Sequence, residues 1–417
     1  MNKRLVFSGR VGIIISTYNH PAWLMKTLLG YTKQSYSDFE IIVADDGSFP
    51  ETGKMLEQAK QELGLKIKHV WQPDLGFRKN KILNIAIQAT DADYLIFTDQ
   101  DCVPRQDFVE THLYYAKKGF FLSGGYFKIP MDISHRLTRE DIENQNLFNL
   151  SWLIKTGVKW HFKCTKLIDS KKFTSFMNQA TTAKASWNGC NASGWKSDIL
   201  RVNGFNETLC YGGEDRELGE RLRNLHIKGR QIRYSAICVH LDHDRPYKDV
   251  NIIKLNKERR KKIHSSKLTL TTEGLYKGKV QQSKLPKKIL FYNTSQTWGK
   301  IEDWQLEQAQ FLSESGDDVL IITQKWSEIK RRASVNKLST YGFSVKIISL
   351  FYPFKIVDLY SIFHREFPDI LVIFQPKQLK LARFIAKTAG IKRIIYYGDP
   401  FISTKNTIQF NEFIHSL

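Results

Sequence analysis

A chain of 417 residues with 42% hydrophobic and 25% charged side chains has an ordinary globular composition and is long enough to bury more than one core. Its formal charge of +21 exceeds what solubility requires and points to an anionic partner: nucleic acid, an acidic membrane surface or a phosphorylated substrate. Five scattered cysteines without a CxxC pair, Cys102, Cys164, Cys190, Cys210 and Cys238, argue against a disulfide framework and fit a reducing cytoplasm, and no run of roughly 18 apolar residues offers a membrane-spanning helix.

The start, MNKRLVFSGRVGIIISTYN, pairs positive charge with an apolar run, but Val11 to Ile15 is too short for a signal core and leads into polar Ser16-Thr17-Tyr18-Asn19. It reads as a first strand. A helical pattern through Trp23, Leu24, Thr27 and Leu28 follows, and FEIIVADDGS supplies a second strand ending in Asp45-Asp46. A charged helix over about 51–63, a strand at KIKHVWQ, a helix over 79–89 and a strand over 94–98 complete an alternation that implies βαβ units and a mostly parallel sheet. Residues 128–187 break this rhythm. Thr138-Arg139-Glu140-Asp141 has the spacing of a capping box. The stretch 152–176 interleaves Trp152, Trp160, Phe162, Phe173 and Phe176 with six lysines. A solvated helix burying one face is its plainest reading, ahead of a peripheral membrane or acceptor-binding lobe and then nucleic acid. The basic run KERRKKIHSSK at 257–267 opens a polar stretch that reads as a domain boundary. Beyond it KKILFYNTS, DDVLIITQ, FSVKIIS, DILVIFQ and KRIIYYG read as strands, with helices over 303–315 and 379–388.

The chemistry concentrates at strand ends. The strand over 94–98 runs into Asp99-Gln100-Asp101, and Pro104 opposes its continuation. From this tripeptide alone an Asx-type turn is the plainer reading. A second carboxylate pair, Asp45-Asp46, ends another strand, and one parallel sheet directs both pairs to the same edge, where ligands bind in open α/β folds. A third group, Tyr211-Gly212-Gly213-Glu214-Asp215, sets two carboxylates at a helix start after two glycines. Helix-dipole stabilisation accounts for such acids, while the glycines suggest a close approach to a ligand.

These motifs together resemble a known family. Residues of about 8–250 are similar to an inverting family 2 glycosyltransferase of the GT-A fold, with a later segment similar to the C-terminal region of β-1,4-galactosyltransferases and bacterial chondroitin-type polymerases. The likeness is carried by ISTYNHPAWLMKTLLGYTKQSYSDFEIIVADDGS, DLGFRKNKILNIAI, FTDQDCVP and VNGFNETLCYGGEDRELGERL. It implies a UDP-sugar donor and Mn2+ or Mg2+. Thr17 and Asp45 would contact the base, Asp46 the nucleoside, and Asp99 the ribose or the metal. Asp101 would ligate the metal with a histidine, of which His240 aligns best and His243 is a nearby substitute. Phe77, Arg78, Lys79 and Lys81 would belong to a nucleotide-contacting loop. Asp215 would be the general base, and Glu214 would bind donor or acceptor hydroxyls. The acceptor would be a glycan or lipid-linked glycan in bacterial surface polysaccharide synthesis, with no nucleic-acid partner, and the enzyme would be cytoplasmic with peripheral contact at the inner membrane. Tyr211, Gln100 and Cys102 depart from the galactosyltransferase pattern, which bears on sugar and acceptor more than on the reaction.

The resulting expectation is an α/β chain: a GT-A nucleotide-diphospho-sugar transferase domain at 1–265, a basic polar linker at 266–286, and a smaller Rossmann-like domain at 287–417. The last resembles the N-terminal half of a family 4 GT-B glycosyltransferase. With no donor-binding second half before Leu417, it is expected to be inactive and to dock an acceptor or partner, or the chain to be a piece of a longer protein. The alternative function is a non-catalytic nucleic-acid- or glycan-binding protein on a transferase-like fold.

Overall fold

The computed structural model describes residues 7–416 except 182, 245–247, 279–284, 296, 337, 344–358, 365 and 399–406. The chain divides into two compact units, Met1–Lys277 and Gly278–Leu417.

The first unit is built on a seven-stranded sheet in the order β3-β2-β1-β4-β8-β6-β9. Its parallel half consists of β1 (Val11–Thr17), β2 (Glu40–Asp45), β3 (Ile67–Trp71) and β4 (Tyr94–Asp99), joined by α1 (Pro21–Thr32), α2 (Pro50–Leu63) and α3 (Lys79–Gln88). Every residue of β1 is buried, the consequence of helices covering both sheet faces. Ile13, Ile15, Ile41, Val43 and Ile96 pack with Leu24 and Leu28 of α1 and Leu56 of α2 in one core cluster. The chain then forms β5 (Cys102–Pro104), α4 (Phe108–Tyr115), β6 (Phe120–Ser123) and β7 (Gly125–Lys128). After α5 (Met131–Arg136) comes α6 (Arg139–Glu143), which starts with the expected capping box between Thr138 and Asp141.

The basic aromatic stretch does not form one helix. It folds as α7 (Leu150–Lys155), a 3-10 turn over Phe162–Leu167 and α8 (Lys171–Ala180). Gly157, at φ 108°, ends the first piece, and the Ser170 side chain caps the last. Leu153, Val158, Cys164 and Leu167 anchor these pieces on a core containing Phe127 and Val239. β8 (Ala192–Trp195) runs antiparallel to β4 and β6 and is followed by α9 (Lys196–Arg201), α10 (Glu214–Asn224), β9 (Lys228–Gln231) and β10 (Ile237–His240). β10 joins β5 and β7 in a small sheet of order β5-β10-β7.

The run 257–265 is the second half of α11 (Val250–Ser265). The stretch expected to link domains from 266 is fastened to the first unit up to Lys277. The buried Asn203 donates to the Thr271 and Tyr276 carbonyls, and a Cβ on Gly274 would collide with the Asn203 carbonyl at 1.8 Å. Residues 279–284 of that stretch lie outside the described residues.

The second unit is a five-stranded parallel sheet in the order β13-β12-β11-β14-β15, formed by β11 (Lys288–Tyr292), β12 (Asp318–Gln324), β13 (Ser339–Phe343), β14 (Ile370–Ile373) and β15 (Arg393–Tyr396). Its helices include α12 (Lys300–Glu314), α13 (Glu328–Val335), α14 (Pro376–Thr388) and α15 (Thr407–Ser416), with a core cluster on each face of the sheet. This is a Rossmann-like arrangement. The strand expected at FSVKIIS begins earlier, in STYGF, and the remainder, from 344, lies outside the described residues.

Candidate functional site

Register decides which side chains meet. Thr17 pairs with Asp45 across β1 and β2, and Ser16 with Asp99 across β1 and β4, so three strand ends deliver polar groups to one carboxyl edge. His240 of β10 pairs with Cys102 of β5, which brings the chain's later histidines to the residue beside Asp101.

Asp101 is buried. One carboxylate oxygen, Oδ2, lies 2.9 Å from His243 Nε2 and 3.4 Å from His240 Nε2. The Nδ1 atoms of these rings lie 2.8 Å from the Leu241 carbonyl and 2.7 Å from the Asp244 carbonyl. Carbonyls only accept, so each imidazole spends its Nδ1–H there and turns Nε2 toward Asp101, the orientation that second-shell carbonyls impose on metal-binding histidines. The rings are stacked, 6.0 Å apart with 2° between planes. Burial alone raises the Asp101 pKa, but His240 and His243 outweigh it and lower it to about 2. Among the described residues, ligand atoms of Asp101, Cys102 and His240 lie within 4.8 Å of one another. Burial pushes the Cys102 thiol well up, which keeps it protonated and a poor partner for a hard cation. Asp101 is thus approached by both histidines rather than by one of them.

A second cluster lies beside it. A cavity lined by Ser16, Lys79, Asp99, Gly189, Glu214 and Asp215 joins the strand edge to the start of α10. Asp99 Oδ1 accepts from Ser16 Oγ at 2.6 Å and from Lys79 Nζ at 2.5 Å. Asp215 Oδ2 accepts the Gly189 N–H at 2.8 Å, and a Cβ on Gly189 would stand 3.4 Å from that oxygen and 3.6 Å from Lys79 Nζ. Lys79 thus lies between the strand-end acid and the helix-start acids. Burial lowers its pKa, but Asp99, Glu214 and Asp215 more than reverse this and leave it raised. Burial, then the neighbouring Asp215, raises the Glu214 pKa, and its Oε2 accepts the Gly212 N–H at 2.7 Å. Gly212 and Gly213 have φ of 118° and 95°, open to glycine and strained for other residues. The close approach they permit is to α11: a Cβ on Gly212 would meet Ile253 at 2.6 Å, and one on Gly213 would meet Arg260 at 3.0 Å.

The remaining expected residues are held by the protein itself. Thr17 donates its hydroxyl to Gln100 Oε1. Asp45, 1% exposed, accepts from the Ser48 N–H at 2.8 Å and lies 3.0 Å from His69 Nε2. Asp46 accepts from Gln72 Nε2 and the Arg78 N–H; burial raises its pKa against both bonds. The Arg78 guanidinium donates to the Pro73 carbonyl, and Lys81 makes no described side-chain bond to these carboxylates. Phe77 stands edge-on to Tyr211, 6.0 Å away. Sequence reasoning misses His69, whose signal is its position two residues before the β3 partner of Asp45, and Gln100, which ties Asp99-Gln100-Asp101 to β1. It also misses His20, with its ring 5.9 Å from that of His243 and its pKa lowered by burial and then by His243.

Residues 12–181 match the model described as glycosyl transferase family 2, and residues 174–244 the model described as the N-terminal domain of galactosyltransferase. The chain is 27% identical over 294 residues to a validoxylamine A glucosyltransferase of Streptomyces hygroscopicus subsp. jinggangensis, covering 66% of this chain and 67% of the relative. It is 29% identical over 230 residues to an Escherichia coli chondroitin synthase, covering 53% of this chain and one third (33%) of that protein.

Proposed function

We propose that this glycosyltransferase, whose residues 12–181 match the family 2 model, is an inverting, metal-dependent enzyme transferring a hexose from a UDP-sugar. The donor is of the Gal, GalNAc, GlcNAc or Glc class, and the acceptor is a glycan or lipid-linked glycan of bacterial surface polysaccharide synthesis, reached from the cytoplasmic side of the inner membrane. Among the described residues no helix is long and apolar enough to cross a membrane.

The observation that carries the reading is the meeting of two groups at one sheet edge: Asp101 with two oriented histidines, and Asp99–Lys79 with Glu214 and Asp215. The mixed carboxylate and imidazole set fits Mn2+ better than Mg2+, which prefers an all-oxygen shell. Asp101, His240 and His243 would hold a divalent cation, which when bound would supply charge neutralisation to a diphosphate leaving group. Asp215 takes the proton from the acceptor hydroxyl as its oxygen bonds to the anomeric carbon and the bond from that carbon to the UDP oxygen breaks. The Gly189 N–H fixes one of its oxygens, leaving the carboxylate oriented for that task. Glu214 binds sugar hydroxyls. Lys79 holds Asp99 in place for ribose or metal, a shift from direct contact with nucleotide. Thr17, Asp45, Asp46, Arg78 and Lys81 line the approach of the nucleoside and diphosphate, with His69 and Gln72 positioning the first two acids among them.

We assign this chemistry to the first unit, whose compact part runs to Lys277, past the expected domain end at 265. The second unit, which we read as akin to the N-terminal half of a GT-B enzyme, is assigned acceptor or partner docking without transfer. The test is calorimetric UDP binding with and without Mn2+, for wild type and Asp101→Asn. Metal-dependent binding that the substitution abolishes is expected; equal binding by both proteins sinks the metal assignment.

A further inference from the structure

We infer that the outer face of residues 154–176 is the surface by which the protein lies on an anionic lipid bilayer, which makes the acceptor a membrane-resident one. This deepens the transferase reading and rests on it for the acceptor, though not for the surface.

The inference starts from side chains that folding leaves unburied. Trp160, Phe162 and Phe176 are 65%, 64% and 65% exposed, and Ile154 and Ile168 join them at 46% and 38%. A core was within reach, since Leu153, Val158, Cys164 and Leu167 of the same segment are buried. Large apolar groups left exposed along one well-anchored segment mark a contact surface. Lys155, Lys159, Lys163, Lys171 and Lys172 stand exposed among them, and the only acid between 150 and 180 is Asp169. Among the described residues none of these five lysines is paired with a carboxylate, unlike some exposed cations elsewhere such as Lys261 with Glu258 and Arg331 with Glu328.

The mixture selects the occupant. A protein partner is disfavoured because lysine is depleted in interface cores. Nucleic acid uses aromatic rings as stacking platforms, but the aliphatic Ile154 and Ile168 offer it nothing. A bilayer interface takes all three classes: aromatic rings at the headgroup level, aliphatic groups just beneath, and lysines against acidic lipid. The surface also adjoins the chemistry. Lys166, in the 3-10 turn, donates to the Tyr126 carbonyl at 3.0 Å and lies 5.4 Å from the Tyr126 ring centre, and that ring is 5.6 Å from the ring of His240. A lipid-linked acceptor lying in the bilayer is then presented close to the metal-binding histidines.

The experiment is cosedimentation with vesicles of phosphatidylcholine alone and with about one-third phosphatidylglycerol added. Wild type is compared with Trp160→Ser/Phe162→Ser/Phe176→Ser and with Lys159→Glu/Lys163→Glu/Lys171→Glu/Lys172→Glu. All substituted side chains are exposed or at the surface of the fold, and circular dichroism checks each variant. Wild type is expected to sediment with the anionic vesicles, less so in high salt, and each variant to bind roughly tenfold more weakly or worse while keeping wild-type UDP binding. No binding to the anionic vesicles, or equal binding by wild type and both variants, overturns the proposal. So does oligonucleotide binding, or dimer formation, that the same substitutions abolish in place of vesicle binding. UDP binding with Mn2+ separates the two readings: vesicle binding without UDP binding sinks the transferase assignment and leaves the surface, and the reverse result sinks the surface alone.

Discussion

Both units end their parallel strands at a carboxyl edge, yet the two edges are chemically opposite. In the first, Asp45, Asp99 and Asp101 face histidines and a lysine. In the second, the same topological positions carry amides and hydroxyls that bond to one another. Asn293 donates to Gln305 Oε1 at 2.7 Å, Gln375 donates to Asn293 Oδ1 at 3.3 Å, and Gln324 donates to the Thr294 carbonyl. Glu302, buried there, is met by the neutral Asn293 amide. A doubly wound sheet thus offers a place for chemistry, and the side chains at that place decide whether any occurs.

The comparison breaks most sharply at Asp215. Asp215→Asn keeps the shape and removes the base, so transfer is expected to fall roughly a hundred- to ten-thousand-fold with UDP binding retained. Equal transfer by the two proteins removes Asp215 from the role and leaves the first edge no more catalytic than the second. Lys79→Met erases the cation that sits among the first edge's carboxylates. Asp99 and the helix-start acids then repel one another uncompensated, and about a ten- to hundredfold loss of donor affinity or transfer is expected from steady-state kinetics.

The units also differ in their response to pH. His112 is buried between Ser193 and Asn191, and burial lowers its pKa to about 4. The unfolded chain takes up that proton near pH 6.5, so the first unit loses stability as pH falls from about 6.5 to 4, by on the order of 3 kcal/mol. Lys287 of the second unit is half-buried, and burial lowers its pKa to about 8. The unfolded chain there holds its proton up to higher pH, so that unit gains stability as pH rises from about 8 toward 10.5. Calorimetric unfolding at stepped pH should move the two transitions in these separate windows. A His112→Gln protein that keeps the acid sensitivity of wild type removes its assigned cause.

Much of this contrast is legible in the sequence, because long buried strands such as β1 and β4 are continuous apolar runs and their terminal carboxylates stand out against them. The site's second layer is not. His69 reaches Asp45 and Gln100 reaches Thr17 across strands, and such pairs exist only once register is known. The glycine pair before Glu214 announces a close approach but not its object, α11. Residues 266–277 look like a linker because their polarity hides the buried Asn203 that fastens them. The stretch 152–176 has the composition of an amphipathic helix, but Gly157 and the cap at Ser170 divide it, and Trp160, Phe162 and Phe176 stand outside while Trp152 and Phe173 are half-buried.

The smallest expected effect tests the neutral edge itself. Asn293 is fully buried; its side-chain oxygen accepts the Ser295 N–H at 2.9 Å and the Gln375 amide, and its nitrogen serves Gln305 and Glu302. Asn293→Ala strands those partners, which costs about 1–3 kcal/mol each where no water replaces the bond. That cost should fall on the second unit's unfolding transition, seen in denaturant titration, with the first transition and the transfer rate unchanged. A drop in transfer with the fold intact would make the second edge part of the enzyme's working site, and the contrast between the units would then be one of role within a shared activity, since a network that only supports its own fold has no route to the rate.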